Sequence, residues 1–185
     1  MGYTDAPGPL LRGEGLQGSR ARPLRDDAEF RAVWEHADQT PRDAMDLALL
    51  TGQRPADVLK IKLADIHDGA LWIVQNKTGV KRAIELTGEL AQLVERINGR
   101  PYVRRSAFLI QDTSGKPLGT FATRSQFDKA RRKSGVSFQF RDIRAKAATD
   151  TGDLAHSQKL LGHRNRDMTE HYVRARVGER VRPLR

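Results

Sequence analysis

The chain has 185 residues, 38% hydrophobic and 30% charged, which is enough for one domain with a real core and too few for two large ones. It has no cysteine, which excludes disulfides and thiolate metal sites and fits a reducing cytoplasm; no apolar run is long enough to span a bilayer, and the Gly- and Pro-rich first residues show no secretory signal. Lys and Arg number 33 against 23 Asp and Glu, giving a net charge of +10 and a pI of about 10.4, a balance that favours a polyanion, DNA or RNA first, over a merely solubilising or ribosome-associated surface.

Residues 1–23 carry five Gly and three Pro and read as a flexible arm or linker. At Leu24 the pattern changes. LRDDAEFRAVWEHAD opens on Asp26 and Asp27, which suit a helix N-terminus, and Phe30, Val33, Trp34 and Ala37 then share one face. Pro41 is expected to open a second helix, PRDAMDLALLTG, closed near Gly52. A third begins at Pro55 and turns Val58, Leu59 and Ile61 inward.

From Ala70 to Leu86 the period becomes two. LWIVQ and RAIEL read as strands joined at Asn76-Lys77-Thr78-Gly79, a hairpin turn signal. A helix is expected over about Thr87–Asn98, then a short strand or buried extended segment at 108–110. A loop follows at Gly115 and Pro117. Thr120–Ser134 reads as a basic helix with Phe121 and Phe127 as its anchors. Three or four helices close the pattern, at about Phe140–Thr149, Ala155–Leu161 and Asp167–Arg174, with Asp167 as the N-cap of the last. The expected fold is mainly α with a small antiparallel β-sheet.

Arg54 stands before Pro55, at a predicted helix start, where a guanidinium beside free N–H groups can hold an anion; pairing with Asp57 is the plainer alternative. Lys77 sits at the hairpin tip, where a lysine can reach a phosphate or give a proton to a leaving oxygen, or can be an ordinary turn residue. Arg141 and Arg144 are one helical turn apart and can bracket a phosphate. The alternative, a solvated basic face, is weakened by Phe138, Phe140 and Ile143, which predict a buried helix whose arginine needs a partner.

His163 follows Leu160-Leu161-Gly162, where a packed helix-end histidine is the commoner finding. His36, His67, His156 and His171 show no metal-ligand spacing with it, so no metal site and no cofactor is expected. Tyr172 is nine residues beyond His163 and is either packing for the last helix or a nucleophile. A free phenol has a pKa near about 10, so as a nucleophile it needs a base or a strong positive field. Arg124, Ser125, Lys129, Arg131, Arg132 and Lys133 are candidates for contacts to a nucleic-acid backbone, or form a solvated helix face.

Taken together these stretches resemble the catalytic domain of the tyrosine recombinases of the phage-integrase type. TGQRPADVLKIKLADI is similar to the family's first arginine box, which would make Arg54 its first catalytic arginine. QNKTGVKRAIEL resembles the β-hairpin that carries the catalytic lysine, here Lys77. FRDIRAKAAT resembles the second box, with Arg144 as second arginine, and LLGHRNRDMTEHY the closing boxes, with His163 and the nucleophile Tyr172. The match spans roughly residues 24–174.

Two departures stand out. Arg141 replaces the second-box histidine, and an arginine does not give up its proton at ordinary pH. The family's N-terminal core-binding domain is not seen before the catalytic domain, taken as 24–185, so the chain is a fragment, an isolated domain or a reduced relative.

The resemblance implies a site-specific recombinase or integrase that works without metal or ATP. Tyr172 would form a 3′-phosphotyrosine link, Lys77 would protonate the 5′ oxygen, and Arg54, Arg144, His163 and Arg141 would hold the nonbridging oxygens. The implied partner is double-stranded DNA, bound as a homotetramer by a chain that alone is a monomer or weak oligomer, with no membrane, in a prokaryotic cytoplasm as a nucleoid-associated or phage-encoded protein. The alternative is a DNA-binding relative of the same fold that has lost strand cleavage.

Overall fold

The computed structural model describes residues 24, 26–101 and 105–177, with the backbone alone at 172 and 174–177. The expected arm over residues 1–23 and the tail after residue 177 lie outside the described residues.

Asp26 caps α1 (Asp27–His36), its carboxylate accepting from the Glu29 N–H at 2.9 Å. The face read from the sequence is the buried one: Val33 and Ala37 are in the core, with Phe30 and Trp34 packed on it. The second helix, α2 (Gln39–Thr51), begins before Pro41, with Asp38 at the cap position. Pro41 sits in the first turn, where a helix has no use for its missing N–H, so the proline marks the neighbourhood of the start and not the start itself. Gly52 ends α2 at φ 63, a left-handed conformation that favours glycine. It also faces a tight neighbour, since a Cβ there would stand 3.1 Å from Leu160.

After one turn of α3 (Pro55–Val58) and a 3-10 turn (Leu63–Asp65), the chain forms β1 (Ile66–His67), β2 (Ala70–Val74) and β3 (Lys81–Glu85), antiparallel in that order. Leu71 pairs with Ile84 and Trp72 with Ala83. Leu71 and Ile73 are buried while Trp72 and Val74 are exposed, as alternation requires. β1 was not expected, because two residues are too few to show a period. α4 (Gly88–Asn98) buries Leu90, Leu93, Val94 and Ile97. The 108–110 stretch is buried and extended, with the Leu109 N–H donating to the Ile61 carbonyl at 2.7 Å.

In α5 (Thr120–Ser134) the buried stripe is Thr123, Phe127 and Ala130. Phe127 meets Phe138 and Phe140 edge-on at 5.5 and 5.3 Å. Phe121 is not an anchor: it is 85% exposed, because it lies roughly 200° round the helix from Thr123. α6 (Asp142–Asp150) packs against α2, α7 (Leu154–Leu161) and α8 (Arg166–Val177). Asp167 is inside α8 and does not cap it; the side-chain oxygen of Asn165 takes that place, accepting from the Asp167 N–H at 3.0 Å. The architecture is mainly helical with a small three-stranded antiparallel sheet, as expected.

Candidate active site

Arg144 lies on α6 between the C-terminal ends of two neighbouring helices and is 3% exposed. Its Nη1 donates to the Gly52 carbonyl, at the end of α2, at 2.5 Å. Its Nη2 donates to the Leu161 carbonyl, at the end of α7, at 2.8 Å. Helix C-termini leave carbonyls without helical partners and carry partial negative charge. A guanidinium fork satisfies both at once, which is how the fold keeps a cation buried.

The same Nη2 lies 3.2 Å from Nε2 of His163. A guanidinium has no lone pair to offer, so Nε2 accepts and the proton of the neutral ring is on Nδ1. Nδ1 then donates to Thr169 Oγ1 at 3.0 Å. Burial, then the positive charges of Arg144 and Arg54, push the His163 imidazole from 6.5 down to about 4. His163 follows Gly162, which closes α7 at φ 68, so the ring is presented by a left-handed turn.

Arg54 occupies the cap position of α3, close enough for its charge to act on His163. Its Nη1 faces Asp57 Oδ2 at 3.8 Å, and neither of those atoms makes a hydrogen bond among the described residues. The pairing anticipated as the plain alternative is therefore present, but only as a loose ion pair. The other Asp57 oxygen accepts from the backbone and side-chain N–H groups of Asn76 at 2.9 and 2.7 Å. One buried carboxylate thus stands between Arg54 and the turn that carries Lys77. That turn is closed by the Gln75 N–H on the Val80 carbonyl at 3.0 Å and the Gly79 N–H on the Gln75 carbonyl at 2.8 Å, and Lys77 is exposed.

Arg144 is the arginine that the buried helix predicted, and Arg141 is not. Arg141 stands at the N-terminal end of α6, 76% exposed, 3.9 Å from Asp142. Tyr172 lies in α8, one turn after Thr169, whose hydroxyl holds His163; the Tyr172 side chain is outside the described residues. On α5, Arg124, Ser125, Lys129, Arg132 and Lys133 are exposed. Arg131 turns inward, to Asp128 at 3.1 Å and the Phe138 carbonyl at 3.4 Å.

Arg54, Arg144 and His163, distant in sequence, therefore share one locality at the ends of α2 and α7, with the Lys77 hairpin tied to it. A cluster of fixed cations beside a neutral imidazole suits an anion that gains charge during reaction. Sequence reasoning missed Gln53, Gln75 and Thr169, and named Asp57 only as the ion-pair partner of Arg54, not as the anchor of the Asn76 turn. For Gln75 a signal existed: in LWIVQ the alternation that buries Leu71 and Ile73 also points Gln75 inward, where a polar side chain needs a partner. For Thr169 the signal is its place in the sequence, one helical turn before Tyr172.

Among the described residues no three His, Cys, Asp or Glu side chains gather where they could hold a metal ion, and no helix is long and apolar enough to cross a membrane.

The sequence model of the phage integrase family matches residues 27–179. The integrase of Escherichia phage HK022 is 34% identical over 167 residues, covering 82% of this chain and 46% of the relative. The integrase of Escherichia phage lambda is 32% identical over 160 residues, 78% of this chain and 45% of the relative. The chain spans less than half the length of these curated relatives. The lambda integrase catalytic core superposes with a TM-score of 0.67 at 29% identity, covering 78% of this chain and 94% of that one. A lambda integrase dimer bound to a COC′ core site gives 0.76 at 27% identity, covering 90% and 52%. XerA recombinase shares the fold, with a TM-score of 0.66 at 18% identity over 85% of this chain and 60% of that one. The chain belongs to the phage integrase family, the tyrosine recombinases.

Proposed function

We propose that this chain is the catalytic domain of a site-specific DNA recombinase that cuts and rejoins strands through a covalent tyrosine intermediate. The observation that carries the reading is the meeting of Arg54, Arg144 and His163 around the ends of α2 and α7, in a chain of the integrase family. Tyr172 Oη attacks the phosphorus of a DNA phosphodiester, forming a 3′-phosphotyrosine bond as the bond to the 5′ oxygen breaks. The phenolic proton leaves to solvent, and Lys77 Nζ gives a proton to the departing 5′ oxygen. Arg54, Arg144, His163 and the exposed Arg141 face the nonbridging oxygens, whose charge rises in the pentacoordinate transition state. Removing one preorganised donor from such a site costs about 100- to 1000-fold in rate. A 5′ hydroxyl from another strand then reverses the step, and because the phosphoester bond is conserved no external energy source is required.

Double-stranded DNA is the partner this reading requires, and the basic face of α5 is the surface offered to its backbone. A homotetramer on DNA is the assembly proposed, by likeness to a lambda integrase tetramer bound to a Holliday junction. A prokaryotic cytoplasm is the compartment it implies.

The test is covalent capture. Incubated with nicked duplexes whose cleavage releases a short fragment, the wild-type chain is expected to give a protein–DNA adduct that survives denaturing electrophoresis. Tyr172→Phe should give none while binding the same duplex. An adduct with the Phe variant refutes the nucleophile. A second reading, a relative that binds DNA without cutting it, is favoured by Arg141 in the place of the usual histidine. Intact binding with no wild-type adduct would establish it.

A further inference from the structure

Two buried glutamines with no part in that chemistry join the lysine turn to the arginine–histidine cluster. Gln75, 1% exposed, directly follows β2 at the root of the hairpin. Its Nε2 donates to Gln53 Oε1 and to the Leu161 carbonyl, each at 2.8 Å. Its Oε1 accepts from Thr78 Oγ1, next to Lys77, at 2.9 Å. The Leu161 carbonyl is the same oxygen that receives Arg144 Nη2. One lone pair of that oxygen therefore holds the arginine and the other holds the hairpin.

Gln53 is 0% exposed and extends the link, its Nε2 donating to the Thr51 and Leu160 carbonyls at 2.9 and 3.0 Å. Gly162, which presents His163, has no room for a side chain. A Cβ there would lie 2.9 Å from Gln75 Nε2 and 3.0 Å from its Oε1. The Gln75 amide thus touches, directly or through one atom, the backbone that aims Arg144, His163 and Lys77.

The geometry points to Gln75 as a positioning residue: it fixes where the Lys77 ammonium stands relative to the phosphate that Arg144, Arg54 and His163 face. This rests on Lys77 being the group whose proton goes to the departing 5′ oxygen as the phosphorus–oxygen bond breaks. Through Thr78, Gln75 holds the turn by its side chain. Through its own N–H and carbonyl, it closes the turn by its backbone. Without the amide, the hairpin keeps its strands but loses its register against the α7 end. A displacement of about 1 Å at a reacting group can cost about 100-fold in rate.

A glutamine that merely glued the fold would lower every activity alike, so the test uses a substrate that needs no proton donor. In a 5′-bridging phosphorothiolate, sulfur replaces the departing oxygen, and a thiol has a pKa near about 8.5, so it leaves without one. The probes are a pool of nicked duplexes randomised on both sides of one phosphodiester, and the same pool with sulfur at that 5′ position. Wild type, Lys77→Ala, Gln75→Met and Thr78→Val are compared by the rate of covalent adduct formation. Thr78 is exposed, so its variant keeps the core and carries the comparison even where Gln75→Met folds poorly.

On the oxygen pool, Gln75→Met is expected to be about 10- to 100-fold slower than wild type and Thr78→Val slower by a smaller factor. On the sulfur pool both should return to within about threefold of wild type, as Lys77→Ala should, because the general acid is then dispensable. If sulfur restores Lys77→Ala but neither Gln75→Met nor Thr78→Val, Gln75 is scaffold only and the inference is overturned while Lys77 keeps its role. If sulfur fails to restore Lys77→Ala, the proton-donor reading of Lys77 falls, and this inference with it.

Discussion

Arg144 and His163 share a hydrogen bond in which the arginine can only give: Nη2 lies 3.2 Å from Nε2. The imidazole must therefore be neutral, with its proton on Nδ1 facing Thr169. Its folded pKa of about 4 lies below the ordinary 6.5. As the pH falls, the unfolded chain takes up this proton first. The stability contributed by the neutral ring is present above about 6.5 and is lost as the pH falls toward about 4, by roughly 2 kcal/mol between pH 7 and pH 4.5. Urea denaturation of wild type and His163→Gln at several pH values isolates this contribution from the carboxylates, because only the difference between the two proteins is read. The gap should shrink as the pH falls through this range. A gap independent of pH would mean that the ring is not held neutral.

Arg144 should be the costliest of the candidate cations to replace. Arg144→Lys leaves one ammonium where a fork now meets two helix-end carbonyls and a ring nitrogen. A buried acceptor left without its donor costs about 1–3 kcal/mol, so the variant is expected to lose stability in that range as well as about 100-fold or more in strand cleavage. Arg54→Lys should spare the fold, since the loose 3.8 Å pair with Asp57 is all the ion pairing it loses. Thermal unfolding of the two variants separates them, and equal losses would contradict the assignment of Arg144 as the buried keystone of the two helix ends.

What the sequence made legible was chemistry with a fixed spacing. Arg54 before a proline and Lys77 in a hairpin signal each combine a reactive side chain with a backbone feature that places it, His163 stands at an expected helix end, and the structure brings Arg54, Arg144 and His163 together. What it hid was the means of support. Gln53 and Gln75 bond to carbonyls far away in the chain; alternation marks Gln75 as inward-facing, but no local pattern names the carbonyl that it meets.

Phe121 shows the opposite failure. An aromatic residue on a helix suggests core, but the stripe that decides burial runs through Thr123 and Phe127. Phe121→Ala should therefore change stability by less than about 0.5 kcal/mol, whereas Phe127→Ala should cost about 3–5 kcal/mol. Chemical denaturation of the pair tests this, and a large loss at Phe121 would place it against a surface that it does not meet here.

Arg141 offers the sharpest test of what the missing histidine did. Its side chain is 76% exposed, with Asp142 at 3.9 Å, so Arg141→His should alter stability by less than about 0.5 kcal/mol. A guanidinium keeps its charge at every workable pH. The histidine variant carries its charge only below a pKa near about 6.5. If Arg141 serves by charge alone, the variant should match wild type near pH 6 and fall behind by about tenfold near pH 8, a smaller loss than for a buried donor because the site is solvated. Adduct-formation rates across that range decide between roles. A variant as fast as wild type throughout would mean that Arg141 touches no phosphate, and one that overtakes wild type at pH 8 would mean that a neutral imidazole there moves a proton which the arginine holds fast.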